Sequence, residues 1–179
     1  MRIKKLLLPG AKMIEREIQT DSRGSFHKPF TILDISTIEE EFNIAEIFYS
    51  ISKKNVIRGM HFQNPPSEQR KIITVVKGRI TDLLLDLRKS SKFYGKFISI
   101  ELNAKDGVSI FIPNGIAHGF IGKDKENIVL YVVDSAYSKK DEDGIRYDSF
   151  GYSWGVKEPI LSPRDRSFQG FEDFVTHFK

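Results

Sequence analysis

From residue 71 to residue 137 the chain keeps to one pattern: a short run rich in Ile, Val and Leu, then a few turn-forming residues. KIITVVKGRITDLLLDLR (71–88) carries a Lys-Gly pair in its middle as a turn signal. GKFISIEL (95–102) alternates Phe97, Ser99 and Glu101 against Ile98, Ile100 and Leu102. GVSIFIP (107–113) and NIVLYVVDSAY (127–137) continue the series, with AKDG (104–107) and GKDKEN (122–127) as spacers. Runs of this length and composition, bounded by Gly, Asp and Asn, read as strands. Their regular spacing predicts an all-β sandwich or barrel.

Helix signals are few. DISTIEEEF (34–42) offers an Asp or Ser cap followed by acidic residues, which suits a first helical turn. SFQGFEDFVTHF (167–178) spaces Phe168, Phe171, Phe174, Val175 and Phe178 at helical intervals. It predicts a short amphipathic helix packed on the sandwich. There is no repeat, low-complexity tract or linker, and 179 residues suit one domain over 1–179.

The totals exclude several classes. With 40% hydrophobic and 29% charged residues the composition is that of a soluble globular protein. No apolar run approaches the roughly 18 residues of a membrane span. The start, MRIKKLLLPGAK, has too short an apolar stretch for a signal peptide, so a cytoplasmic protein with no membrane partner is expected. The absence of cysteine removes disulfides, thiolate metal sites and cysteine nucleophiles. A net charge of +4, from scattered lysines, fits a phosphorylated small molecule better than nucleic acid.

Histidine is scarce: His27, His61, His118 and His177. His61 sits in NVIRGMHFQNPP (55–66) and His118 in IPNGIAHGF (112–120), both in apolar strands with a glycine close by. A single histidine so placed is more often a satisfied core residue. Two, with Gly59 and Gly119 beside them, suggest a ligand approaching the sheet. Arg58 lies three positions before His61, so it points to the opposite face unless a bulge at Gly59 re-aims it. Lys71 opens an apolar strand after a polar connection, and taken alone reads as a solvated strand start. Position 63, where a His-x-His metal pair would place its second member, is Gln63, so acid–base use of the histidines outranks metal binding. GYSWG (151–155) fits a hydrolase elbow in letters only, since two prolines and no helical period follow it.

DSRGSF, VIRGMHFQ, DLLLDLRKSSKFYGKF, IPNGIAHGF and PILSPRD occur in that order. Together, from about Asp21 to Asp165, they resemble the dTDP-4-dehydrorhamnose 3,5-epimerase family of nucleotide-sugar epimerases. The resemblance implies a cupin-type jelly roll, a homodimer, no cofactor and no metal in the catalytic step. It implies a nucleoside-diphosphate 4-keto-6-deoxy sugar as substrate, dTDP-linked by default, in the synthesis of a surface glycan. It also implies residue roles: His61 as base, Asp165 as its orienting carboxylate, Lys71 at the enolate oxygen and Tyr131 as acid on the opposite face. Arg58, His118, Gln63 and Tyr137 align with further pocket residues. Arg23 would pair with a phosphate and Phe26 would lie against the base or ribose.

Three departures from the family pattern bear on specificity. His27 and Lys28 stand where an acidic residue usually follows the DSRGSF segment. Glu46, Ile47 and Phe48 replace a polar Gln-Asp-Asn-like stretch, and Ala136 replaces a frequent tyrosine. The nucleotide therefore stays open among dTDP, GDP, CDP and UDP, as do hexose or heptose and inversion at C3, C5 or both. Rival readings are a single-carbon epimerase or ketoisomerase, a non-catalytic nucleotide-sugar-binding cupin and, last, a metal-dependent cupin oxygenase.

Overall fold

The computed structural model describes residues 1–38 and 42–179, and at Ile32 and Asp34 the backbone only. The chain opens with β1 (Arg2–Lys5), β2 (Lys12–Glu15) and the hairpin β3 (Gln19–Asp21) and β4 (Gly24–Phe26), followed by α1 (Ile32–Ile38). The central strands are β5 (Glu46–Ser52), β6 (Ile57–Gln63), β7 (Lys71–Lys77), β8 (Arg79–Asp86) and β9 (Phe97–Asn103). Then come β10 (Val108–Ile112), β11 (Ile116–Gly122), β12 (Asn127–Val133) and β13 (Glu142–Gly144). A one-turn helix, α2 (Pro163–Ser167), and a 3-10 turn, Phe171–Asp173, complete the described elements.

Two antiparallel sheets face each other, in the orders β1-β2-β10-β7-β12-β5 and β13-β6-β11-β8-β9. This is the all-β jelly-roll sandwich expected from the strand spacing. Side chains alternate across each strand, so one parity fills the space between the sheets. Ile73, Val75, Leu84, Ile110, Phe120 and Val129 are buried there. The outer faces are covered too. Ile35, Ile38 and Phe42 pack on Ile72, Phe111 and Val132 of the six-stranded sheet. Residues from 145 onward cover the other sheet, burying Trp154, Phe174 and Phe178 against Met60, Leu83 and Ala117. The Lys-Gly pair makes the β7–β8 turn: Gly78 has φ +77°, and a Cβ there would stand 2.4 Å from the Glu126 carbonyl oxygen.

Two helix expectations need correction. The first helix runs over Ile32–Ile38 and begins before Asp34, with the Ile35 N–H donating to the Thr31 carbonyl. The acidic stretch 39–41 lies outside the described residues. The predicted helix at 167–178 is not one. After α2 the backbone at Phe168 and Gly170 is extended, and only the 3-10 turn interrupts it. Beyond that turn Phe174 and Phe178 are buried while Val175 and His177 are exposed, a period of two. The tail is held to the sheet rather than to itself: Thr176 Oγ1 donates to the Leu87 carbonyl at 2.5 Å, and the Lys89 N–H to the Phe178 carbonyl.

Candidate active site

The apolar filling between the sheets gives way at one end to mostly polar residues of the same inward parity. From the six-stranded sheet come Glu46, Phe48 and Ser50 of β5, Lys71 of β7 and Tyr131 of β12. From the other come Arg58, His61 and Gln63 of β6 and His118 of β11. With Tyr137, Glu142 and Arg164 at the rim they enclose a cavity of about 330 Å³.

Arg58 and His61 reach the same cavity because β6 is bulged. His61 pairs with His118 and Arg58 with Phe120, so three steps on β6 match two on β11. The extra residue falls at Gly59–Met60, where the peptide is cis and Gly59 has φ +139°. Only glycine fits: a Cβ on Gly59 would lie 2.5 Å from the Gly119 Cα. The bulge therefore settles the parity of Arg58. Its Nε donates to Ser52 Oγ at 2.9 Å and one terminal nitrogen to the Ile51 carbonyl at 3.2 Å.

His61 Nε2 donates to Asp165 Oδ1 at 2.9 Å. Asp165 is buried, fixed by its own N–H on Ser162 Oγ at 3.0 Å and by the Gly59 N–H on its second oxygen at 3.4 Å. Burial would raise this carboxyl, but the hydrogen bond and charge of His61, with the Ser162 and Gly59 contacts, bring it below the usual range. Asp165 is thus ionised and holds the imidazole in one tautomer. Nδ1 is then the nitrogen left to accept a proton. Burial lowers the His61 pKa against the pull of Asp165, so the ring is neutral and basic near neutral pH.

Lys71 is not a solvated strand start. It is buried, and burial draws its ammonium down to about 8, opposed by the charge of Glu142. Tyr131 is buried as well, and burial pushes its phenol up, which keeps it a proton donor. Phe48 is its direct cross-strand partner.

His118 and Asp82 form a second imidazole–carboxylate pair, Nε2 to Oδ1 at 2.6 Å, deeper in the sandwich. Burial raises the Asp82 pKa, with His118 acting in the other direction. Gln63 lines the wall, its amide engaged by the carbonyls of Ser67 and Ala136 and by the Ser138 N–H. Tyr137 stands at the mouth, its hydroxyl donating to Glu142 Oε2 at 2.8 Å and its N–H to Glu46 Oε1 at 3.0 Å. Arg164 pairs with Glu142 at 2.6 Å, and one of its terminal nitrogens lies 3.3 Å from His61 Nε2.

Eight of the ten residues singled out from the sequence therefore meet in or directly against one cavity: His61, Lys71, Tyr131, Asp165, Arg58, Gln63, His118 and Tyr137. Arg23 and Phe26 do not. They sit on the hairpin β3–β4, whose strands are exposed throughout, and Arg23 pairs with Asp21 at 2.6 Å. Sequence reasoning passed over Asp82, Glu142 and Arg164. Asp82 had a faint signal, as a carboxylate inside the apolar run ITDLLLD. Among the described residues no cluster of three or more His, Asp or Glu is arranged to hold a metal ion. No described helix is long and apolar enough to cross a membrane.

The family model described as dTDP-4-dehydrorhamnose 3,5-epimerase matches residues 5–173. The chain belongs to this family. It is similar to the dTDP-4-dehydrorhamnose 3,5-epimerase of Mycolicibacterium smegmatis, 34% identical over 92% of this chain and 83% of that one. The crystal structure of the Sulfolobus tokodaii enzyme of the same name superposes with a TM-score of 0.91 at 35% identity, over 100% of both chains. The Bacillus anthracis enzyme, solved with TDP and PPi bound, gives 0.89 at 31% identity, over 93% of this chain and 97% of that one. As a member of this epimerase family the protein is an isomerase with a cupin-type fold.

Proposed function

We propose that the chain inverts C3, C5 or both in a nucleoside-diphosphate 4-keto-6-deoxy sugar by way of an enolate. The C4 ketone acidifies the hydrogens on both flanking carbons, so the chemistry needs a base, an acid on the opposite face and a positive group at O4. The observation that carries the reading is the convergence of those three from two sheets. His61, held by Asp165, faces Lys71 and Tyr131 across one cavity. His61 takes the C–H proton, Lys71 stabilises the charge on O4, and Tyr131 delivers a proton to the other face. Arg58 offers a cation to the diphosphate, while His118 and Tyr137 shape the sugar and nucleotide ends. The TDP in the Bacillus anthracis structure supports a dTDP sugar, with supply of a surface glycan as the wider role.

The active unit in this proposal is a homodimer. Arg23 and Phe26 lie outside the cavity, on an exposed hairpin, so they serve a substrate in the pocket of a second copy. The edge strand β5 exposes Ile47, Tyr49 and Ile51 along its outer side, an apolar surface suited to such a partner.

Incubation in deuterated water with dTDP-, GDP-, CDP- and UDP-linked 4-keto-6-deoxy sugars tests the reading. Deuterium at C3, C5 or both of the product supports it and fixes the nucleotide. Binding without label across the panel overturns it in favour of a non-catalytic module.

A further inference from the structure

Among the cavity residues with no part in the chemistry above, one is apolar and half-exposed on the inward side of β5. Phe48 lies between Glu46 and Ser50 on the inward side of β5, a large apolar ring in a polar row. It belongs to none of the three apolar clusters and is 44% exposed at the cavity, so packing the core does not account for it. Among the described residues its one ring contact is with Tyr131. The rings are 4.8 Å apart and 13° from parallel, between residues that face each other directly across β5 and β12. Tyr131 also meets the edge of the His118 ring, at 6.0 Å and 69°. The two rings, with Ser50 at its hydroxyl, fix the plane of the buried phenol on the cavity wall.

We propose that Phe48 is a positioning residue: by stacking on Tyr131 it holds the phenol on the line from which the enolate is reprotonated, and so favours inversion over return. The proposal rests on the epimerase reading. Once His61 has taken the C–H proton, that bond's electron pair resides in the enolate, and two outcomes compete. Tyr131 O–H can protonate the opposite face, forming a new C–H bond, after which the phenolate recovers a proton from solvent and His61 loses its proton to solvent. Alternatively His61 returns a proton to the original face, and if that proton has exchanged, the substrate gains a solvent hydrogen without inversion. A stacked, immobile phenol favours the first course. A phenol free to swing is in line less often, and small misplacements of a reacting group are costly. Offset and parallel stacking of this kind has a preferred geometry, which an aliphatic side chain does not supply.

The test is the partition between inverted product and labelled, uninverted substrate for the full-length protein in deuterated water. The wild type is expected to give labelled product with little label in recovered substrate. Phe48→Ala and Phe48→Leu should raise the ratio of labelled substrate to product about tenfold or more, since the acid alone is misplaced. Phe48→Tyr, which keeps a flat ring, should restore the wild-type ratio. An unchanged ratio, with exchange and inversion falling together or only KM rising, overturns the proposal and leaves Phe48 a substrate contact. The leucine variant keeps bulk at the site, so the test stands even where the alanine variant is unstable. Absence of label in the wild type would sink the epimerase reading instead, which separates the two failures.

Discussion

His61 and His118 stand directly opposite each other across β6 and β11, and each has its own buried carboxylate, Asp165 at 2.9 Å and Asp82 at 2.6 Å. Their surroundings separate them. The His61 side chain is 24% exposed and that of His118 5%, so only His61 is open to an incoming carbon acid. His61→Asn should lower kcat by about a thousandfold and abolish deuterium exchange into substrate, as loss of a base does. His118→Asn should leave exchange detectable. Exchange rates measured by NMR on both variants decide it, and equal loss in the two would contradict the assignment.

Activity should follow a bell in pH. The proposed base works neutral, and burial holds the His61 pKa below its ordinary value of 6.5, so kcat/KM should rise with pH to a plateau reached early. In the proposed mechanism the O4 partner works charged, and Lys71 discharges near pH 8, so kcat/KM should fall above it. Lys71→Arg, whose cation stays protonated, should remove the alkaline limb while lowering the plateau.

The same lysine gives stability the opposite trend. Its folded pKa lies below the ordinary 10.5, so between about 8 and 10.5 the unfolded chain binds the extra proton. Stability from this group therefore rises with pH across that window, by ~3 kcal/mol if nothing else titrates. Urea denaturation of wild type and Lys71→Met at pH 7.5 and 9.5 should show the gain in the wild type alone.

Gly59 is required by the bulge. A methyl group there meets the Gly119 backbone at 2.5 Å and strains a φ of +139°. Gly59→Ala should cost about 2–3 kcal/mol or more in chemical denaturation. It should also reduce activity in the fraction that folds, because the Gly59 N–H supports Asp165.

If Arg23 and Phe26 act on a second copy's cavity, two dead enzymes should complement. Mixed and re-equilibrated His61→Asn and Arg23→Ala proteins would form heterodimers with one intact site, recovering up to about a quarter of wild-type activity. No recovery from a mixture shown to exchange subunits would count against the shared site.

Much of this architecture could be read from the sequence because period-two apolar patterning from 71 to 137 admits few other folds. The tail misled for a definite reason. Phe171, Phe174 and Phe178 satisfy a helical spacing, but Phe174, Thr176 and Phe178 satisfy a strand spacing equally, and hydrogen bonds to Leu87 and Lys89 choose between them. At the site, Arg58 and His61 have the wrong parity to meet, and only the bulge at Gly59 reconciles them. The glycine was the visible hint. Asp165 carries no local sign at all, since its partner lies 104 positions away and the family resemblance alone singled it out. Asp82 was hidden by the apolar strand around it.

The proposed base and the carboxylate that holds it belong to parts of the fold of unequal robustness. His61 is on a strand paired on both sides, whereas Asp165 sits in a five-residue helix that belongs to neither sheet. Opening that peripheral segment would disarm the imidazole while both sheets stayed intact. Inactivation by mild denaturant should then precede loss of the β-sheet signal, so the enzyme's working lifetime is set by the adhesion of a strap rather than by the strength of its core.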